Sequence, residues 1–180
     1  MGEALADTVL KALSQGRELK NGKLKLRRGM LGCMVNHDKD HLAAAAQQIT
    51  DEPDEDKQKE MMRQAGILNR FDRKAIIWRA GMPLIQPVEL AAVSFGDVAF
   101  AFSPFEMFDT NGIQLRRASP FAMTFSCSYA MNCFGYLPSH QAFPHGEYEA
   151  MICRFVPGTG ESVVLELCAQ MQDMKNDNDI

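Results

Sequence analysis

The spacing of apolar residues changes period several times along the chain. Leu5, Val9, Leu10 and Leu13 recur three and four positions apart, which predicts an amphipathic helix from Gly2 to about Gln15, with Gly16 as its stop. From Lys23 to Asn36 basic residues alternate with Leu24, Leu26, Met30, Leu31 and Met34. That alternation predicts a strand, broken at Gly29 and Gly32, whose basic face meets water. Helical character returns from Leu42 to Ile49. The acidic run Asp51 to Asp56 with its central proline is a solvated break, and a long helix interrupted at Gly66 is expected from Lys57 to Ala80. Trp78 and the pair Ile76-Ile77 are expected to anchor that helix to the core, and Met82-Pro83 ends it.

The second half alternates strands and helices. Val88–Phe95 and Val98–Phe102 are apolar runs separated only by Gly96-Asp97, a two-residue hairpin signal. The second run is apolar on both sides, as in a central strand covered on both faces. Ser103-Pro104 breaks it, and Met107 to Ala118 predicts a helix with Arg116 and Arg117 in its last turn, where cations are favoured. Another buried strand is expected over Pro120–Tyr129. Asn132–Gly146 is the longest irregular piece, and a last strand is expected over Tyr148–Phe155. Pro157-Gly158-Thr159-Gly160-Glu161 opens a final helix with Val163, Val164, Leu167, Cys168 and Met171 on its apolar side. That turn has no phosphate-loop lysine, so Thr159 is expected to cap the helix, and Asp173–Ile180 is expected to be a frayed tail. The sum is a mixed α/β fold: one domain over residues 1–180, with helices packed on a mainly antiparallel sheet.

Composition narrows the function classes. The chain has 180 residues, of which 46% are hydrophobic, enough for a real core. A net charge of -4 gives no basic footprint for nucleic acid. No apolar run reaches the roughly 18 residues of a membrane span, and M-G-E-A-L-A lacks the charged and apolar regions of a signal peptide. The five cysteines form no C-x-x-C pair and are read as free buried thiols, so the expected location is the cytoplasm. The twelve methionines are read as core filling.

Candidate chemistry gathers between Gly96 and Tyr148. Glu106 stands where the apolar strand stops, and Tyr136 and Tyr148 flank a loop rich in Pro, Gly and His. A carboxylate at a strand exit can complement the dipole of the next helix or hold a cation; the residues alone do not decide between these. Likewise, Tyr136 and Tyr148 are read from the residues as half-buried aromatics with hydroxyls toward solvent. His37 and His41, in H-D-K-D-H, are four apart, but Asp38 replaces the glutamate of a zincin and no third ligand lies near. A helix N-terminus is the expectation there. His140 and His145 with Glu106 would make a weaker alternative metal site.

The segment G-D-V-A-F-A-F-S-P-F-E-M-F-D-T-N-G-I-Q-L-R-R-A-S-P-F, then G-Y-L-P-S and Y-E twelve residues after the first tyrosine, resembles the C-terminal part of the catalytic domain of the neutral ceramidase family. Members are zinc-dependent amidohydrolases that cleave the N-acyl bond of sphingolipids. The resemblance runs along the whole chain but covers only the last part of such a domain. It implies that Glu106 and Tyr136 are zinc ligands and that Tyr148 helps hold the substrate carbonyl. The chain departs from the pattern in Pro104-Phe105-Glu106, where the family has P-G-E and a bulky ring would adjoin the ligand. Met131 and Cys133 stand where the family has an asparagine and a tyrosine. Nothing matches the two histidine ligands or the serine-bearing segment. Catalytic zinc takes three protein ligands, so the expectation is a chain inactive alone: a piece of a larger enzyme, a subunit completed by an N-terminal half or separately encoded partner, or a degenerate relative. The N-acyl lipid or small amide substrate follows from the resemblance only. The competing class is a non-catalytic binding or assembly module that forms a homo-oligomer.

Overall fold

A computed structural model describes residues 2–16, 18 and 22–177. A four-stranded sheet carries the fold, in the order β1 (Leu24–Met34), β2 (Ile85–Phe95), β3 (Val98–Phe102), β5 (Met123–Cys127). The first three strands are antiparallel, and β3 pairs with β5 in parallel. Gly96, at φ 59°, closes the predicted β2–β3 hairpin. A second, two-stranded sheet pairs β4 (Glu106–Met107) with β6 (Tyr136–Leu137) in parallel.

Two helices cover one face of the large sheet: α5 (Asp109–Ala118) and α7 (Thr159–Asn176). Val88, Leu90, Ala92, Ala99 and Ala101 point to that face and form the main core with Leu115, Leu167 and Met171. A smaller core joins α2 (Ala43–Asp51), α3 (Glu55–Ala65) and α4 (Arg70–Ala80) around Ala46, Ile49, Ile67 and Ile76. No residue of α1 (Gly2–Leu13) is buried.

Several sequence expectations are corrected. β1 is unbroken: Gly29 leaves room for Glu166 and Gln170 of α7, whose side-chain atoms would lie 3.3 Å from an added Cβ. Its basic side faces the helices, not water. Lys25 donates to the carbonyls of Met174 (3.1 Å) and Asp177 (2.6 Å), and Arg27 pairs with Asp177, so both cations cap the negative end of α7. The apolar side of β1 is therefore the bare one: Leu24, Leu26, Met30 and Met34 are exposed. Because the side-chain period of a strand is two, this choice sets the whole face. β3 is interior in strand order, yet Phe100 and Phe102 lie on that same uncovered face and only half-buried.

Trp78 does not anchor α4; it is 49% exposed, whereas Ile76 is buried. Tyr148–Phe155 is not a strand. Its first part is α6 (Tyr148–Ile152), because Ala150 and Cys153, three apart, are the buried positions; only Phe155 makes a bridge, to Val35. Thr159 does not cap α7 with its side chain, since its hydroxyl donates to the Val156 carbonyl at 2.8 Å. α7 continues to Asn176, past the expected start of fraying; residues 178–180 lie outside the described residues. The five cysteines are free as expected, but Cys133 is exposed and Cys127 and Cys168 are only partly buried.

Candidate functional site: an acid and three phenols at the sheet rim

The rim is laced from the two chain segments that follow β3 and β5, strands that end side by side at one end of the sheet. After β3, the amide of Ser103 donates to the Cys127 carbonyl at 3.0 Å. Phe134 donates to the carbonyl of Pro104 at 2.8 Å, and the Glu106 amide to that of Gly135 at 2.9 Å. These bonds put β4 and β6 in parallel register with Glu106 opposite Tyr136. Facing residues of a parallel pair project to the same side, so the carboxylate and the phenol share one side of the ribbon.

Alternation sends their neighbours the other way. Phe105 is fully buried, 5.6 Å from Phe155 and 5.9 Å from Phe134 between ring centroids, and Leu137 is buried with it. The ring at residue 105 therefore does not crowd Glu106, as adjacency in sequence implied. Behind the ribbon, buried Asn111 of α5 donates its amide to the Leu137 carbonyl at 3.0 Å. Gly160 makes that packing fit, since an added Cβ would lie 2.5 Å from the Asn111 amide nitrogen and 2.9 Å from the Pro138 carbonyl.

Tyr148, at the start of α6, packs edge-to-face on Tyr136 with ring centroids 6.0 Å apart. Phe71 of α4 packs on its other side at 5.1 Å. A third phenol completes the cluster: Tyr129 donates to Glu106 Oε2 at 2.7 Å. Sequence reasoning missed Tyr129. It lies in the turn after β5 with φ 54°, and its amide bonds to the Phe105 carbonyl at 3.2 Å, a return no local pattern announces.

The electrostatics run in one direction. The hydrogen bond to Glu106, with burial and the carboxylate charge, pushes Tyr129 up to about 12. The charge of Glu106 also raises Tyr136 above its ordinary value. All this makes phenols, not phenolates, near neutral pH: good donors around an anion or a developing oxyanion.

Tested as a self-contained zinc centre, the residues do not fit. Glu106 is exposed and already accepts the Tyr129 hydroxyl, and it holds Tyr136 in the protonated form that binds metal least well. Among the described residues no group of three His, Cys, Asp or Glu side chains converges. Two of the histidines have other neighbours: His140 Nδ1 lies beside Gly158, 3.9 Å from an added Cβ there, and His37 bonds Asp40 at 2.7 Å at the start of the short 3-10 turn Asp40–Leu42.

The sequence matches no protein-family model and no curated protein. Among solved structures, the similarity is to ceramidases. A crystal structure of neutral ceramidase from Pseudomonas aeruginosa aligns with a TM-score of 0.52 and 13% identity, over 86% of this chain and 29% of that one. A ceramidase complexed with C2 aligns with a TM-score of 0.44 and 18% identity, over 52% of this chain and 16% of that one. At such identity the likeness to the Pseudomonas enzyme is one of fold. This chain spans less than a third of the length of either neighbour. No helix among the described residues is long and apolar enough to cross a membrane.

Proposed function

We propose that this chain contributes the acid-and-phenol portion of a ceramidase-type amidohydrolase site, and that it is inactive until another segment or subunit supplies the remaining metal ligands. The observation that carries the reading is the register of Glu106 against Tyr136, with Tyr148 packed on the same phenol. In a completed site, zinc would supply a Lewis acid and a nucleophilic hydroxide. In that reading Glu106 would be the carboxylate donor this chain brings, Tyr129 would orient that carboxylate, and the Tyr148 hydroxyl would donate to the carbonyl oxygen of an N-acyl amide.

The bare sheet face supports the need for a further segment. Strands of these lengths, spaced about 4.8 Å with a rise of about 3.3 Å per residue, give it roughly 500 Å² in projection. The largest patch on a typical monomer has about this size and is often a functional surface. The competing reading, a self-associating module, draws on the same face.

The test has two arms. Purified chain supplied with zinc is expected to retain less than one equivalent and to release no fatty acid from N-acylsphingosine in detergent micelles; stoichiometric zinc with turnover overturns the reading. In the second arm, millimolar Mn²⁺ should broaden the Tyr136 and Tyr148 ring resonances in wild type but not in Glu106→Gln. Broadening confined to other residues would show that the rim is not a metal half-site. A concentration-dependent dimer that is unaffected by Glu106→Gln, in a protein with no Mn²⁺ effect at the rim, favours the module.

A further inference from the structure

The helical side of the molecule holds a charge arrangement that its fold does not require. A groove of about 1040 Å³ opens between α2, α3 and α4. Five cations line it, but two are neutralised: Lys59 pairs with Asp56 at 2.7 Å and Arg63 with Glu60 at 2.5 Å. Arg70, Arg73 and Lys74, at i, i+3 and i+4 of α4, share one helix face and have no carboxylate partner among the described residues. Two acids also line the groove, Glu52, which is held by Lys57 at 2.5 Å, and Glu55.

Arg73 is the informative one. It is only 8% exposed, and its hydrogen bonds run from Nη1 to neutral oxygens, Gln58 Oε1 at 2.9 Å and the Ile49 carbonyl at 3.4 Å. Its Nε is buried without an acceptor. A buried guanidinium left without a counter-charge costs several kcal/mol, so an anion in the groove would supply what the site lacks. Arginine and lysine side chains recognise carboxylate and phosphate groups in this way.

Next to the cations lies an apolar pocket of about 310 Å³, walled by Phe71, Ala75, Trp78 and Ile152, and Lys74 lines both cavities. Trp78, 49% exposed, and Phe71, 36% exposed, are large aromatics with unburied surface, and the pocket is within the ~300–1,000 Å³ range of small-molecule sites. We propose that α4 bears a binding site for a single-chain anionic amphiphile, its carboxylate or phosphate head on Arg70, Arg73 and Lys74 and its chain against Phe71, Ala75, Trp78 and Ile152. Occupancy of this site is read without turnover, so it stands or falls apart from the hydrolase reading.

Trp78 is the chain's one tryptophan and sits in the pocket wall, so its emission reports binding directly. Titrations with dodecanoate, dodecyl phosphate and dodecanol, each below micelle formation, are expected to give saturable blue shifts for the two anions and at least roughly tenfold weaker binding for the alcohol. The tighter anion identifies the head group. Inorganic phosphate should compete with dodecyl phosphate without shifting the emission. The exposed pair Arg70→Ala with Lys74→Ala should weaken dodecanoate at least roughly tenfold more than it weakens dodecanol, in a protein whose thermal midpoint without ligand matches wild type. Equal affinity for dodecanoate and dodecanol, an unaltered double variant, or no saturable shift with either anion would falsify the proposal.

Discussion

Asp72 and Glu106 are both single carboxylates placed close to the start of a helix, and the molecule treats them in opposite ways. Asp72 is fully buried; it accepts both Lys39 contacts at 2.9 Å and the Leu68 amide at 3.0 Å, while Asn69 caps the same turn. Its bonding capacity is spent on holding α4 to the segment around Lys39. Glu106 is exposed on a two-residue strand and accepts one hydroxyl. The difference separates an acid that builds the fold from one that the fold holds out toward solvent, leaving lone pairs to offer a ligand.

The comparison is broken most severely by moving one residue along the chain at the rim. Phe105→Ala empties a fully buried position between Phe134 and Phe155 and is expected to cost about 3–5 kcal/mol in urea denaturation. Glu106→Ala, next to it, should cost less than about 1 kcal/mol. Equal losses would mean that the carboxylate is structural after all. Asp72→Ala comes next, at roughly 3 kcal/mol, the low end for a broken buried pair because Lys39 keeps partial access to water. A loss as small as that of Glu106→Ala would remove the distinction between the two acids.

A smaller effect sharpens the view of how the rim is held. At Gly160→Ala the new Cβ would meet the Asn111 amide and the Pro138 carbonyl, and the backbone oxygen cannot swing aside. Overpacking there should outweigh the helix propensity that alanine gains, for a net loss of about 1–2 kcal/mol. Asn111 holds Leu137, so this variant should also shift the Tyr136 ring resonances although residue 160 touches neither site side chain. Unmoved resonances would place the support of β6 elsewhere.

What could be read from the sequence follows the range of the interaction. The β2–β3 hairpin and the helix ending at Arg116-Arg117 were legible because turn chemistry and dipole complementarity act within a few residues. The facing of β1 was not, because the partner of Lys25 and Arg27 is the end of a helix about 150 residues later. Nor was the helical state of Tyr148–Ile152, where a strand is expected, because burial of Ala150 and Cys153 against other elements selects the helix. At the site, Glu106 and Tyr136 were picked out through a family resemblance, and their register comes from hydrogen bonds among segments 30 residues apart. Tyr129, joined to Glu106 by the same lacing, left no mark in local pattern.

Glu106→Gln tests the site acid where stability barely registers. In wild type the Tyr129 proton is held up to about 12, first by its hydrogen bond to Glu106 and then by burial and the carboxylate charge, against an ordinary value of 10.0. Between pH 10 and 12 the unfolded chain has lost that proton while the folded chain keeps it, so the unfolded state binds fewer protons and stability falls as pH rises. The contribution is complete below about pH 10 and gone above about 12. Glutamine keeps an acceptor oxygen but removes the charge, so tyrosinate absorbance near 295 nm should show one phenol, Tyr129, titrating closer to 10, and Tyr136 moving down with it. The alkaline loss of stability should shrink in the same variant. A titration curve identical to wild type would mean that Glu106 does not govern these phenols, and its contrast with Asp72 would then rest on exposure alone.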